Sequence, residues 1–208
     1  MMPTREIRDK LSGLGPSDCG MKHHYVWKHG HELPPCPIKV RDSSLDCAHS
    51  TTPALTEALS ILSRDPRVSP EFINTARMAI SLANDMLWVT DLLAIDIADI
   101  SQGHPPNETA GHSTFQELRR TLALRSDNSL DLDTCEQLIK DGQQHGRSLK
   151  LRVRGVMLSI IDSIENNSPR ETVDRIIELG RVSLEREVAR SEEFFYASEE
   201  KVSWPQRA

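Results

Sequence analysis

A chain of 208 residues with 38% hydrophobic and 27% charged residues is sized for one good core with room for a small satellite module. Its net charge of −6 argues against wholesale coating of nucleic acid, and aromatic residues at 4% require an aliphatic core. No apolar run reaches bilayer length, and the polar, mixed-charge start MMPTREIRDKL is unlike a secretory leader. A cytoplasmic protein without a membrane partner is expected, with thiols that are free or metal-bound rather than paired in disulfides.

Residues 1–50 read as an irregular module. The stretch from Asp18 to Ser50 gathers three of the four cysteines and five of the eight histidines. Zinc needs four converging thiolate or imidazole ligands, and a segment this short cannot bury enough apolar surface to fold alone. A bound Zn2+ would substitute for that core. Cys19, Cys36, Cys47 and His49 are the preferred ligands. His23, His24, His29 or His31 could take the place of His49, with His29 the best of these. The spacing, Cys-x16-Cys-x10-Cys-x-His, matches no standard finger, so clustering alone carries the expectation.

From Pro53 onward the pattern is helical. TTPALTEALSILSRD offers Thr52 as N-cap, Pro53 at the first helical position, and an apolar stripe of Leu55, Ala58, Leu59 and Leu62. Residues 51–66 thus predict a short helix and linker, whose Leu55, Leu59 and Leu62 would pack on copies of themselves as a homo-oligomer. SPEFINTARMAISLANDMLWVTDLLAIDIADIS runs apolar on most faces, the mark of a buried central helix. GHPPNETAGH is a loop, and STFQELRRTLAL opens another helix with capping-box spacing.

A helix over roughly Leu132 to Gln143 should end at DGQQHG. The next should then carry Leu149, Val153, Val156, Met157, Ile160 and Ile164 on one face. The last long helix opens at SPRE, with Ser168 as cap, Pro169 at its first position and Glu171 closing the box. The fold class is all-α: a helical-bundle core over 67–190, preceded by the irregular zinc-binding module and followed by a polar, acidic tail, 191–208. Cys135 falls within a predicted helix as a small core residue. The sequence holds no Gly-rich phosphate loop, Gly-x-Ser-x-Gly or His-Glu-x-x-His. Asp96 and Asp99 share a helix face as capping or solvent-facing groups. No enzyme is expected.

The charge is uneven. Between Lys140 and Arg154 stand five basic residues and one acid. Arg147, Lys150, Arg152 and Arg154 would crowd the start of a helix, where positive charge opposes the dipole and a phosphate would relieve it. Lys22, Lys28, Lys39 and Arg41 add a second basic group around the metal module. These eight residues are the RNA-binding candidates.

The segment from Leu138 to Val188, with its Lys-Asp-Gly turn, Ser148, Lys150, Arg152, Val153 and the MLSIIDS pattern, resembles the last helices of the pneumovirus transcription antiterminator core. LKLR is also similar to a helix of the filovirus zinc-binding transcription activator. That resemblance implies a viral transcription or antitermination factor, oligomeric, binding RNA and a viral phosphoprotein or nucleoprotein. The family's ligands lie closer together than Cys19 to His49, and its members are basic where this chain is acidic. CGMKHHYVWKHGHELPPC is similar instead to short Cys-Gly…Tyr…His…Pro-Cys modules of actinobacterial and phage proteins, in which Cys19, Gly20, Tyr25 and Cys36 match and Lys39 stands for a further cysteine. That second likeness implies only a zinc-dependent binding protein; a zinc-containing adaptor that docks a protein partner without touching nucleic acid is the alternative function.

Overall fold

The computed structural model describes Arg8, Leu11 and residues 48–101 and 132–200, less the side chains of residues 48–51, 88–89, 91–101, 132, 135 and 195–200. Among the described residues the chain is all-α, with four helices and no strand: α1 (Ala48–Leu62), α2 (Pro70–Ser101), α3 (Leu132–Glu165) and α4 (Arg170–Glu200). No described helix is long and apolar enough to cross a membrane.

Helix α2 is central and packs against each of the other three. Its Phe72, Ile73, Ala76, Ala79, Ile80, Ala83, Met86 and Leu87 are all buried. These positions fall on one broad face of about 140° at 100° per residue, while Glu71, Asn74, Arg77, Met78, Ser81 and Asp85 are exposed, so the three neighbours share one side of α2. Helix α3 buries Leu149, Val153, Met157, Ile160 and Ile164, as the 3.6-residue period requires, while Val156 is half-buried. Helix α4 contributes Val173, Ile177, Leu184 and Val188, and Leu11 joins the same core from the N-terminal side.

The start of α1 differs from expectation. It begins at Ala48, so Pro53 lies inside the helix and Thr52 is not its cap. The Thr52 hydroxyl instead hydrogen-bonds Asn84 on α2 at 3.2 Å. The stripe Leu55, Leu59 and Leu62, expected to pack on copies of the chain, is only 0–1% exposed and lies in this chain's own core. Burying it on α2 already provides the tertiary support that a short helix needs.

The caps are local chemistry. Ser69 Oγ accepts the Phe72 amide at 3.2 Å and starts α2. In the turn before it, the Asp65 carboxylate is nearly buried and accepts the Arg67 amide at 2.9 Å and two guanidinium bonds at 2.7 and 3.0 Å. The side-chain bond from Arg67 holds Asp65 below the usual carboxylate range, against the opposing effect of burial.

Helix α3 ends in a Schellman turn. Asn167 adopts φ 50°, its amide reaches the Ile164 carbonyl at 3.2 Å, and the Ser168 amide reaches Ser163 at 3.0 Å. Asparagine tolerates this left-handed backbone, and Pro169 prevents the helix from continuing.

Helix α3 also corrects two expectations. DGQQHG does not end a helix, because α3 runs unbroken through it. Gly142 and Gly146 are there for proximity. A Cβ on Gly142 would lie 2.4 Å from Thr90 Cγ2, and one on Gly146 would lie 2.8 Å from Leu87 Cγ and 3.1 Å from the Ala83 carbonyl oxygen. Two missing side chains one turn apart let α3 close onto α2. The basic residues that follow are therefore in mid-helix, away from the dipole's positive end.

Candidate functional site: a groove between α3 and α4

Each candidate residue can be placed on this frame. Cys19, Cys36, Cys47, Lys22, Lys28, Lys39 and Arg41 lie outside the described residues. So do the alternative ligands His23, His24, His29 and His31 and the side chain of His49, although His49 itself falls in the first turn of α1. Cys135, Asp96 and Asp99 sit on helices with side chains beyond description. Among the described residues no three His, Cys, Asp or Glu side chains converge as a metal site would.

The basic stretch of α3 is not one surface. Lys150, expected to point outward, is 1% exposed and engaged. It shares the inward side of the helix with Leu149 and Val153, both buried. Arg147 and Arg154 are half-buried, and Arg154 Nε is buried without a hydrogen-bond partner. Arg152 is exposed. At 100° per residue it falls well over 90° away from Arg147 and Arg154 around the helix. The arginines therefore face two directions.

The side on which Arg152 stands has other neighbours. Between α3 and α4 runs an open groove of about 800 Å³, floored by Val156, Ile176 and Gly180 and flanked by Leu151 and Leu179. Leu151 is 42% exposed and Leu179 61% exposed, two of the three large apolar side chains that the core leaves in solvent among the described residues. A Cβ on Gly180 would sit 2.3 Å from Val156 Cγ1, so the glycine lets α4 settle on Val156 and form the floor. Gly155 faces open space, with nothing within 4 Å of where its Cβ would be. Ser148, Ser159 and Ser183 add small polar groups along the walls.

One end of the groove is fastened. Ser148 Oγ donates to Glu187 Oε1 at 2.6 Å, which ties α3 to α4 across the gap. Beyond it the His145 ring stacks on Phe194 with centroids 4.6 Å apart and planes 15° off parallel. His145 Nδ1 also lies 3.3 Å from Ser191 Oγ. Past Ser159, Arg8 pairs with Asp162 and Glu165.

Charge on α4 is sorted by face. Away from the groove, Arg181 is held by Glu178 at 2.6 Å and by Glu185. Glu178 is thereby kept below the usual carboxylate range, chiefly by the hydrogen bond from Arg181. On the ridge that carries Leu179, spacings of four, four and three residues align Arg175, Leu179, Ser183 and Arg186. Arg175, Arg186 and, across the groove, Arg152 are exposed and form no ion pair among the described residues. The acids on this side are engaged: Ser148 holds Glu187, which also lies 3.9 Å from Arg190, and Arg8 holds Asp162.

The chain matches no known protein family, no characterised protein and no solved structure. No family is assigned. The groove was missed in the sequence, although a signal existed: Leu151 and Leu179 stand off the apolar stripes of their own helices.

Proposed function

We propose that this chain is a helical adaptor that docks a partner protein through the α3–α4 groove. The carrying observation is an apolar channel edged by Leu151 and Leu179, two of the three large apolar side chains exposed among the described residues. Soluble proteins rarely leave large aliphatic side chains flanking a groove without using them. The Cys/His-rich front, with Cys19, Cys36, Cys47 and His49 as ligands, belongs to this reading as a structural Zn2+ module. It needs no catalytic residue.

A second reading is an RNA-binding transcription or antitermination factor of the viral kind that the Leu138–Val188 pattern resembles, working with a phosphoprotein or nucleoprotein. One observation favours it: Arg147, Arg152 and Arg154 have no ion-pair partner among the described residues. Oligomerisation in that reading would use a surface other than the Leu55–Leu62 stripe. Titration of single-stranded RNA across salt concentrations separates the two. The adaptor predicts no binding that depends on the arginines. The RNA reading predicts a salt slope that flattens when Arg147, Arg152 and Arg154 become Ala, with Lys150 left in place because it is buried.

A further inference from the structure

We infer that the occupant of the α3–α4 groove is an acidic amphipathic helix of a partner protein. This rests on the adaptor reading and adds the partner's chemistry. Both walls are α-helices, whose backbone groups are already bonded within each helix. They offer no edge to which an extended strand could add, so a guest must satisfy its own backbone, and a helix does. From Ser148 to Ser159 the α3 wall spans about 16 Å at 1.5 Å per residue, enough for three turns of a guest.

The floor of Val156 and Ile176, between Leu151 and Leu179, fits an apolar stripe at i, i+3, i+4 and i+7. Gly155 leaves a hollow beside Leu151 that a guest side chain can enter. Charge selects the guest's flanks. Arg152 on one side and Arg175 and Arg186 on the other stand exposed and without ion pairs among the described residues, while the opposite face of α4 holds its glutamates against Arg181. A helix with Glu or Asp beside its apolar stripe would meet cations on both edges, in a chain whose net charge of −6 would otherwise repel it. Single-stranded RNA fits less well, because the lining holds no aromatic side chain on which a base could stack.

The test uses the full chain and a display library of randomised helical peptides of about 18 residues, roughly five turns. Peptides enriched on the wild type are counter-screened on Gly155→Met, which fills open space, and on Leu179→Asp, which changes an exposed side chain. Circular dichroism and melting confirm that both variants are folded. Enriched peptides should carry a helical apolar stripe and net negative charge, and lose at least tenfold in affinity on both variants. On the triple variant Arg152→Glu, Arg175→Glu and Arg186→Glu, selection should turn to basic peptides. Enrichment that depends on the groove but ignores charge overturns this inference and leaves the adaptor standing. Enrichment equal on wild type and Gly155→Met, no enrichment at all, or capture of RNA in place of peptides overturns both.

Discussion

The contact between α2 and α3 gives a test in which a methyl group is moved from one helix to the other. Gly142→Ala places a Cβ 2.4 Å from Thr90 Cγ2, whereas the next nearest atoms lie at 3.9 and 4.0 Å. One methyl group is therefore the whole obstacle. Thr90 is 3% exposed, so that methyl cannot swing into solvent. Overpacking of this kind costs about 1–3 kcal/mol, and Ala in place of Gly in a helix returns about 1. Gly142→Ala should thus cost up to about 2 kcal/mol. Thr90→Ser removes the methyl but keeps the hydroxyl that bonds the Leu87 carbonyl at 2.8 Å, and should cost about 1 kcal/mol alone. Combined, the two changes should return the chain close to wild-type stability, a coupling of about 2 kcal/mol. Gly155→Ala, on the same helix but facing open space, should stabilise by up to about 1 kcal/mol. Urea unfolding at constant slope measures all four proteins, and each kcal/mol should move Tm by about 2–4 °C for a chain of this size. If Gly142→Ala stabilises, or if the two single effects merely add, α3 does not approach α2 as described.

Three further outcomes follow from the same geometry. Asp65→Asn removes the charge that Arg67 grips three times, and should cost about 1–2 kcal/mol at neutral pH. Because Asp65 is held below the usual carboxylate range, its contribution is present above about pH 4 and disappears as pH falls below it. The gap between wild type and variant in chemical unfolding should therefore close in acid, and a gap unchanged at pH 3 would contradict the ion pair. Leu59→Ala should lower stability by about 2–5 kcal/mol without changing native mass by light scattering, since Leu59 is buried in its own chain. If instead the stability holds and the mass drops, the stripe is an intermolecular seam after all. Elemental analysis should find one zinc per chain, lost in Cys36→Ser or Cys47→Ser, and a metal-free protein with an intact N-terminal module would end the zinc proposal.

The core was legible because it obeys one period. Leu149, Val153, Met157, Ile160 and Ile164 are inward as their spacing demands, whereas the stripe of Leu55, Leu59 and Leu62 was legible as apolar but not as part of this chain's own core. What misled was residue type read without tertiary context. Gly142 and Gly146 look like helix breakers in isolation, and only the neighbouring Thr90 and Leu87 reveal them as points of approach. Lys150 looks like a surface cation, yet it shares a helix side with Leu149 and Val153, and position outweighed charge. The groove lay beyond periodic reasoning for a related reason. Leu151 and Leu179 interrupt polar faces, and a single-helix view has no partner helix with which to join them into one channel.

The centrality of α2 has a consequence for how the bundle breathes. The inward face of α2 touches all three other helices, so the amides of its buried positions between Phe72 and Leu87 should exchange slowest in the bundle, through its global unfolding, and those of its exposed face faster. Helix α1, which leans on α2 with few contacts elsewhere, should open at lower energy. The outer face of α4 should do the same, held as it is by exposed ion pairs. A guest seated between α3 and α4 would then slow exchange in α4 most. The α2 amides would slow only as far as the guest raises the stability of the whole bundle.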